Sequence, residues 1–183
     1  STRNIGSVKS EGIDYSIRYT LPIGAFGDLG FGLDGTFVME QSYRPSPTAA
    51  NVECVGRYGK ECGLPSTVSG STGGPTPENR WVGRASWMYG PFDLTAFWRH
   101  LDGSQVDAAQ AAATPAPSNA IPDYDYLDLS ASWQITDMLQ MRLSVENVTD
   151  EEAPFVQTET GSTTFNSGNT YPSTYDTLGR VFT

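Results

Sequence analysis

The chain has 183 residues, 38% apolar and 11% aromatic, a composition that excludes general disorder, and its formal charge of −10 excludes the basic face that nucleic-acid phosphates require. No apolar run approaches the roughly 18–20 residues of a membrane-spanning helix, and the first residues carry neither the basic nor the apolar region of a signal peptide. Membrane-spanning strands, whose signal is much weaker, stay open.

The 19 glycines and 12 prolines, set among many Ser, Thr, Tyr and Trp, disfavour helices and suit strands and turns, so the predicted class is all-β. In "GIDYSIRYTL", Ile13, Tyr15, Ile17, Tyr19 and Leu21 alternate with Asp14, Ser16, Arg18 and Thr20. "DLGFGLDGTFVME" sets Leu29, Phe31, Leu33, Phe37 and Met39 against Asp28, Gly30, Gly32, Asp34, Thr36 and Glu40, with Val38 out of pattern. Its glycines, preceded by "GAFG", are not followed by a helix pattern, so they read as turn and strand and not as a phosphate loop.

Cys54 and Cys62 bound a stretch rich in Gly, Pro and Ser. With His100 the only histidine, a zinc site lacks ligands, which leaves a loop disulfide in an oxidising compartment or two free thiols. "RWVGRASWMY" and "FDLTAFWRH" follow, with Trp81, Ala85, Trp87 and Tyr89, then Phe92, Leu94, Ala96 and Trp98, on the apolar side. Residues 107–123, rich in Ala and Pro, are too broken for a helix and are expected as a mobile loop. Asp123, Asp125 and Asp128 bunch at a strand entrance, as a divalent-cation site or as a solvated acidic rim.

"YLDLSASWQ" and "LQMRLSVEN" alternate cleanly, and "YDTLGRVFT" ends the chain as a strand of ambiguous facing. Asn147 and Asp150 are expected in a turn. The prediction is therefore seven strands joined alternately by tight turns (Pro22–Gly27, Gly90–Pro91, Thr136–Met138) and long loops (about 44–78, 102–123 and 148–174). Loop lengths sorted in this way fit a transmembrane barrel. Arg18, Asp34, Arg84, Arg99, Arg142 and Glu146 stand on the polar side, as a water-containing lumen or the exterior of a soluble sandwich would have them. Trp81 lies eight residues from Tyr89, which at roughly 3.3 Å per residue and a tilt of about 40° is about 20 Å, close to the ~25 Å between the aromatic girdles of a barrel. Trp residues serve equally as core anchors of a soluble β-sandwich whose long loops bind a partner. No Ser/His/Asp or Cys/His nucleophilic set can be assembled, so no enzyme activity and no cofactor are expected.

Nearly the whole chain resembles the C-terminal part of a TonB-dependent outer-membrane receptor, most strongly at its end. "YLDLSASWQITDMLQMRLSVENVTDEEAP" is similar to the penultimate hairpin of that family and closes on Asn147, Val148, Asp150 and Pro154; "NTYPSTYDTLGRVF" is similar to its final-strand signature, here Tyr175, Asp176, Gly179 and Arg180. "CVGRYGKECG", "ENRWVGRASW" and "FDLTAFWRHLDGS" resemble a Cys-bounded extracellular loop and a Trp-rich hairpin of one subgroup.

The resemblance implies that residues 1–183 form one section, about seven antiparallel strands, of a transmembrane barrel of about 22 strands in the bacterial outer membrane. It further implies active import of a scarce ligand (a siderophore, vitamin, metal complex or oligosaccharide) with energy delivered through TonB. A passive porin is a third option, which a plug encoded upstream would exclude. Expected partners are the remaining strands and plug domain, on this or another chain, the TonB complex acting through the plug, membrane lipid and lipopolysaccharide, and the ligand. Loop residues Arg57, Tyr58, Thr163, Phe165 and Tyr171 become candidate ligand contacts. Arg180 joins the lumen-facing arginines, which would pair with plug or barrel carboxylates.

Overall fold

The structure is a computed structural model and describes residues 6–59, 61–62, 73–156 and 170–183. Strands β1 (Ser7–Pro22) and β2 (Asp28–Arg44) form a hairpin closed by a single 3-10 turn at Gly24–Phe26. Gly27, at φ 87°, is required there, because a Cβ would fall 2.0 Å from the Met88 carbonyl oxygen. Short strands β3 (Val52–Glu53), β4 (Arg57–Gly59) and β5 (Gly73–Thr76) follow, then a second hairpin, β6 (Asn79–Tyr89) and β7 (Phe92–Leu101). After β8 (Ser104–Val106) and β9 (Ala120–Ile121) comes a third hairpin, β10 (Tyr124–Thr136) and β11 (Leu139–Glu146), and finally β12 (Val181–Phe182).

The seven expected strands are present as one antiparallel meander in the order β1-β2-β6-β7-β10-β11-β12, and the sheet does not close on itself among the described residues. Three strands differ in extent from expectation. β1 begins at Ser7 and β2 runs on to Arg44, beyond the clean alternation. The last strand has two rungs, Val145↔Phe182 and Glu146↔Val181, instead of spanning 175–183. Its earlier residues are used otherwise: Tyr175 is buried, Gly179 turns at φ 68°, and the Arg180 N–H donates to Asp150 Oδ1 at 2.9 Å.

The register carries the alternation across the sheet. Tyr19, Phe31, Ala85, Ala96, Leu129 and Val145 lie in one line on the apolar face. Ile17 is 59% and Leu143 58% exposed, so among the described residues nothing of the protein covers this face. A β-sandwich needs a second sheet over it. The second sheet that exists, β5-β4-β8-β9, lies at the long-connection end, and its core joins Tyr124 and Tyr126 of the polar face.

A bulge between Glu11 and Gly12, opposite Met39, shifts the register of the first hairpin and accounts for Val38. Beyond it the side that carries Ile13 bears Lys9, Glu11 and Glu40, with Lys9 paired to both glutamates. The outward face thus becomes charged about one residue past the apolar band.

Glycines on the apolar face are roofed by aromatic rings: a Cβ on Gly35 would lie 2.3 Å from Tyr15 Cζ, and one on Gly83 3.3 Å from Trp81 Cζ3. Gly35→Val should displace the Tyr15 ring, break its hydrogen bond to Asn79 Oδ1 (3.1 Å) and cost about 1–2 kcal/mol. In a Tyr15→Ala background the same change should be near neutral, a difference that urea unfolding of the folded barrel protein resolves.

Candidate functional site

The polar face is a stack of registered rows. Nearest the long connections stand Asp14, Thr36, Arg80, Leu101 and Tyr124, followed by Ser16, Asp34, Val82, Arg99 and Tyr126. The third row is Arg18, Gly32, Arg84, Phe97 and Asp128. Below it one level carries only short side chains across all seven strands: Thr20, Gly30, Ser86, Thr95, Ser130, Ser144 and Thr183. Under that lie Asp28, Met88, Asp93, Ser132 and Arg142.

Charges on this face are mostly matched within the wall. Arg18 Nη2 donates to Asp34 Oδ2 at 2.6 Å, and Asp34 also accepts from Ser16 Oγ. Arg99 donates to both oxygens of Asp128 at 3.1 and 3.4 Å and lies over the Tyr126 ring at 5.0 Å. Arg84 rests on Phe97, 5.6 Å from the ring centre. Arg142 and Glu146 make no ion pair among the described residues. Arg180 lies just outside β12 and engages through its backbone, so the ladder does not set the direction of its side chain.

The upper rows enclose a concavity of about 560 Å³ that includes Asp14, Ser16, Thr36, Arg80, Arg99 and Tyr126, with Thr174 at its margin. Its lining presents donors and acceptors already held in place, with Asp14 fixed by Thr36 Oγ1 at 2.7 Å. The outward rim at the same end is aromatic: Trp81 packs edge-on to Trp98 at 5.3 Å and stacks on His100 at 5.2 Å. Trp98 Nε1 and His100 Nδ1 both reach Asp125 Oδ1, at 2.7 and 2.8 Å. At the short-turn end Trp87 stacks on Tyr89 and Phe92 on Trp133, and Trp87 Nε1 donates to the Phe26 carbonyl. Rings with a polar tip at two levels are what a membrane interface selects.

The three clustered aspartates do not converge. Asp123 accepts from the Gly103 N–H, Asp125 from Trp98 on the outward face, and Asp128 from Arg99 and the Asn147 N–H on the inner one. No group of three metal-binding side chains exists among the described residues.

The long connections differ most from expectation. Their disulfide is as expected, Cys54 joined to Cys62, but residues 107–123 form turns and contribute β9. Of the candidate ligand contacts, Tyr58 and Tyr171 are buried core residues at 0% and 1% exposure, packed edge to face. Arg57 is half-buried and directs Nη1 toward the Val106 carbonyl; Thr163 and Phe165 lie outside the described residues.

Burial pushes the phenols of Tyr171 and Tyr175 well above their ordinary value, so both stay neutral, and among the described residues neither hydroxyl has a hydrogen-bond partner. Tyr58 Oη donates to the Ser118 carbonyl at 2.9 Å. Tyr171→Phe should therefore leave stability unchanged or raise it by up to about 1 kcal/mol, whereas Tyr58→Phe should lower it by about 1 kcal/mol. The two urea midpoints should move in opposite directions or only the second should move.

The motif residues form a clamp under the third connection. Asn147, fully buried at φ 51°, exchanges two 2.9 Å hydrogen bonds with the Glu151 backbone. Asp150, at φ 58°, receives Arg180, while Asp176 receives the Leu178 N–H and gives its own N–H to Tyr126 Oη. Pro154 is buried.

The model of the family described as TonB dependent receptor-like, beta-barrel, matches residues 1–148. No curated protein and no solved structure matches the chain. The clamp lies almost wholly beyond the matched span and rests on its own geometry.

Proposed function

The chain belongs to the TonB-dependent receptor-like β-barrel family, a family of outer-membrane transporters and not enzymes, and we propose that its polar face lines the path by which a scarce ligand is taken up. The single observation that carries this is the two-sided wall, with an apolar face uncovered by protein and ringed by aromatics at both ends. The ligand is of the siderophore, vitamin, metal-complex or oligosaccharide kind, and a plug moved by TonB supplies the work. The remaining strands continue the sheet from its open edges, because unpaired backbone groups are not tolerated in lipid. Arg80, Arg84, Arg142 and Glu146, which make no ion pair among the described residues, are available to the plug or to the ligand.

The test is the native species that contains this chain in outer-membrane extract, run unheated and boiled on SDS gels. Its peptides should appear in a band much larger than 19.8 kDa that shifts on heating. Reconstitution into brominated lipid should quench Trp81, Trp87, Trp98 and Trp133. A water-soluble species near the chain's own mass, unquenched, would overturn the reading.

A further inference from the structure

We propose that the described parts of the three long connections act as one fixed roof, anchored to the wall at β10, and not as three gates that move separately. The inference rests on the transporter reading only in taking these connections to face outward. Each connection supplies a side chain to a single core: Tyr58 from the first, Val106 and Ile121 from the second, Val156 and Tyr171 from the third, with Tyr126 of β10 beneath them.

Backbone bonds join what the core packs. β4 of the first connection pairs in parallel with β8 of the second, Arg57 opposite Gln105 and Tyr58 opposite Val106. The Gln105 N–H donates to the Gly56 carbonyl at 2.8 Å and the Asp107 N–H to the Tyr58 carbonyl at 2.7 Å. The buried Asp107 carboxylate accepts the Glu61 N–H at 2.8 Å, and the Cys54–Cys62 disulfide holds Glu61 near β4. The third connection is fastened by the Tyr58–Tyr171 ring contact and, to the wall itself, by the bond from the Asp176 N–H to Tyr126.

Segments that open independently are those with few buried contacts of their own and little shared with their neighbours. Among the described residues, Tyr58, Tyr171 and Val156, three of the largest fully buried side chains, lie between the connections, so lifting any one strips apolar cover from the others. The roof reaches the concavity at Thr174, which lines it together with Asp14 of β1 and Tyr126 of β10.

Hydrogen exchange read by mass spectrometry on the full receptor in lipid nanodiscs tests this. Tyr171→Ala removes a side chain from the third connection alone. The expected result is a rise of more than tenfold in amide exchange across 57–59 and 104–106, in the other two connections, together with 170–176, while β1 and β2 keep wild-type protection. Tyr171→Phe should leave all of these unchanged. Exchange that rises only within 170–176 overturns the proposal. If Tyr171→Ala does not assemble, Val106→Ala is the milder variant, and its effect must then appear in 57–59 and 170–176. Tryptophan quenching in the same sample reports on the membrane reading separately, so either idea can fail alone.

Discussion

Arginine in place of Leu129 should destabilise the membrane-embedded fold by about 2–4 kcal/mol, and the same replacement at Ser130, one residue along β10, by less than 1 kcal/mol. Leu129 stands on the apolar face between Ala96 and Val145, where a guanidinium would meet hydrocarbon. Ser130 stands on the polar face between Thr95 and Ser144, short side chains that leave an arginine room and water. The readout is the fraction that returns to the heat-sensitive band after refolding into vesicles across a urea series. Equal losses at the two positions would contradict the assignment of faces, since a soluble sheet with this exposure has no reason to treat them so differently.

Asn147→Ala is expected to cost about 2–4 kcal/mol. Alanine pays roughly 1–2 kcal/mol to hold the left-handed conformation, and the Glu151 N–H and carbonyl lose their side-chain partners. Asn147→Gly, which accepts the backbone without strain, should cost less than alanine, whereas Asn147→Asp, which buries a carboxylate against the Glu151 carbonyl oxygen, should cost at least as much. Urea midpoints followed by tryptophan fluorescence check the order. A neutral alanine variant would mean that the clamp is incidental to the wall.

The wall was legible in the sequence because its solvents differ. Period-two alternation places Ile17, Leu129 and Leu143 on one side and Arg18, Asp128 and Arg142 on the other, and hairpin turns fix which strands are neighbours. The bulge at Glu11/Gly12 left only the irregularity at Val38 as its trace. The roof was not legible. Its strands have two to four residues, too few for a period, and its pairings join segments some fifty residues apart, Tyr58 with Val106 for example. Tyr58 and Tyr171 lie in loop-like sequence, where only candidacy as ligand contacts is suggested; their burial depends on partners that only the fold supplies. The turn role of Asn147 and Asp150 was readable from residue type, but the link from Asp150 to Arg180 spans the whole third connection.

The level of short side chains from Thr20 to Thr183 has a consequence for the shape of the passage. In the rows above and below, arginines, Phe97 and Met88 project inward; at this one level nothing longer than threonine does. Because strands in a barrel are tilted, this row climbs across the wall, from beside the short turn at Thr20 to near the long connections at Ser144, as a sloping hydroxyl-lined groove.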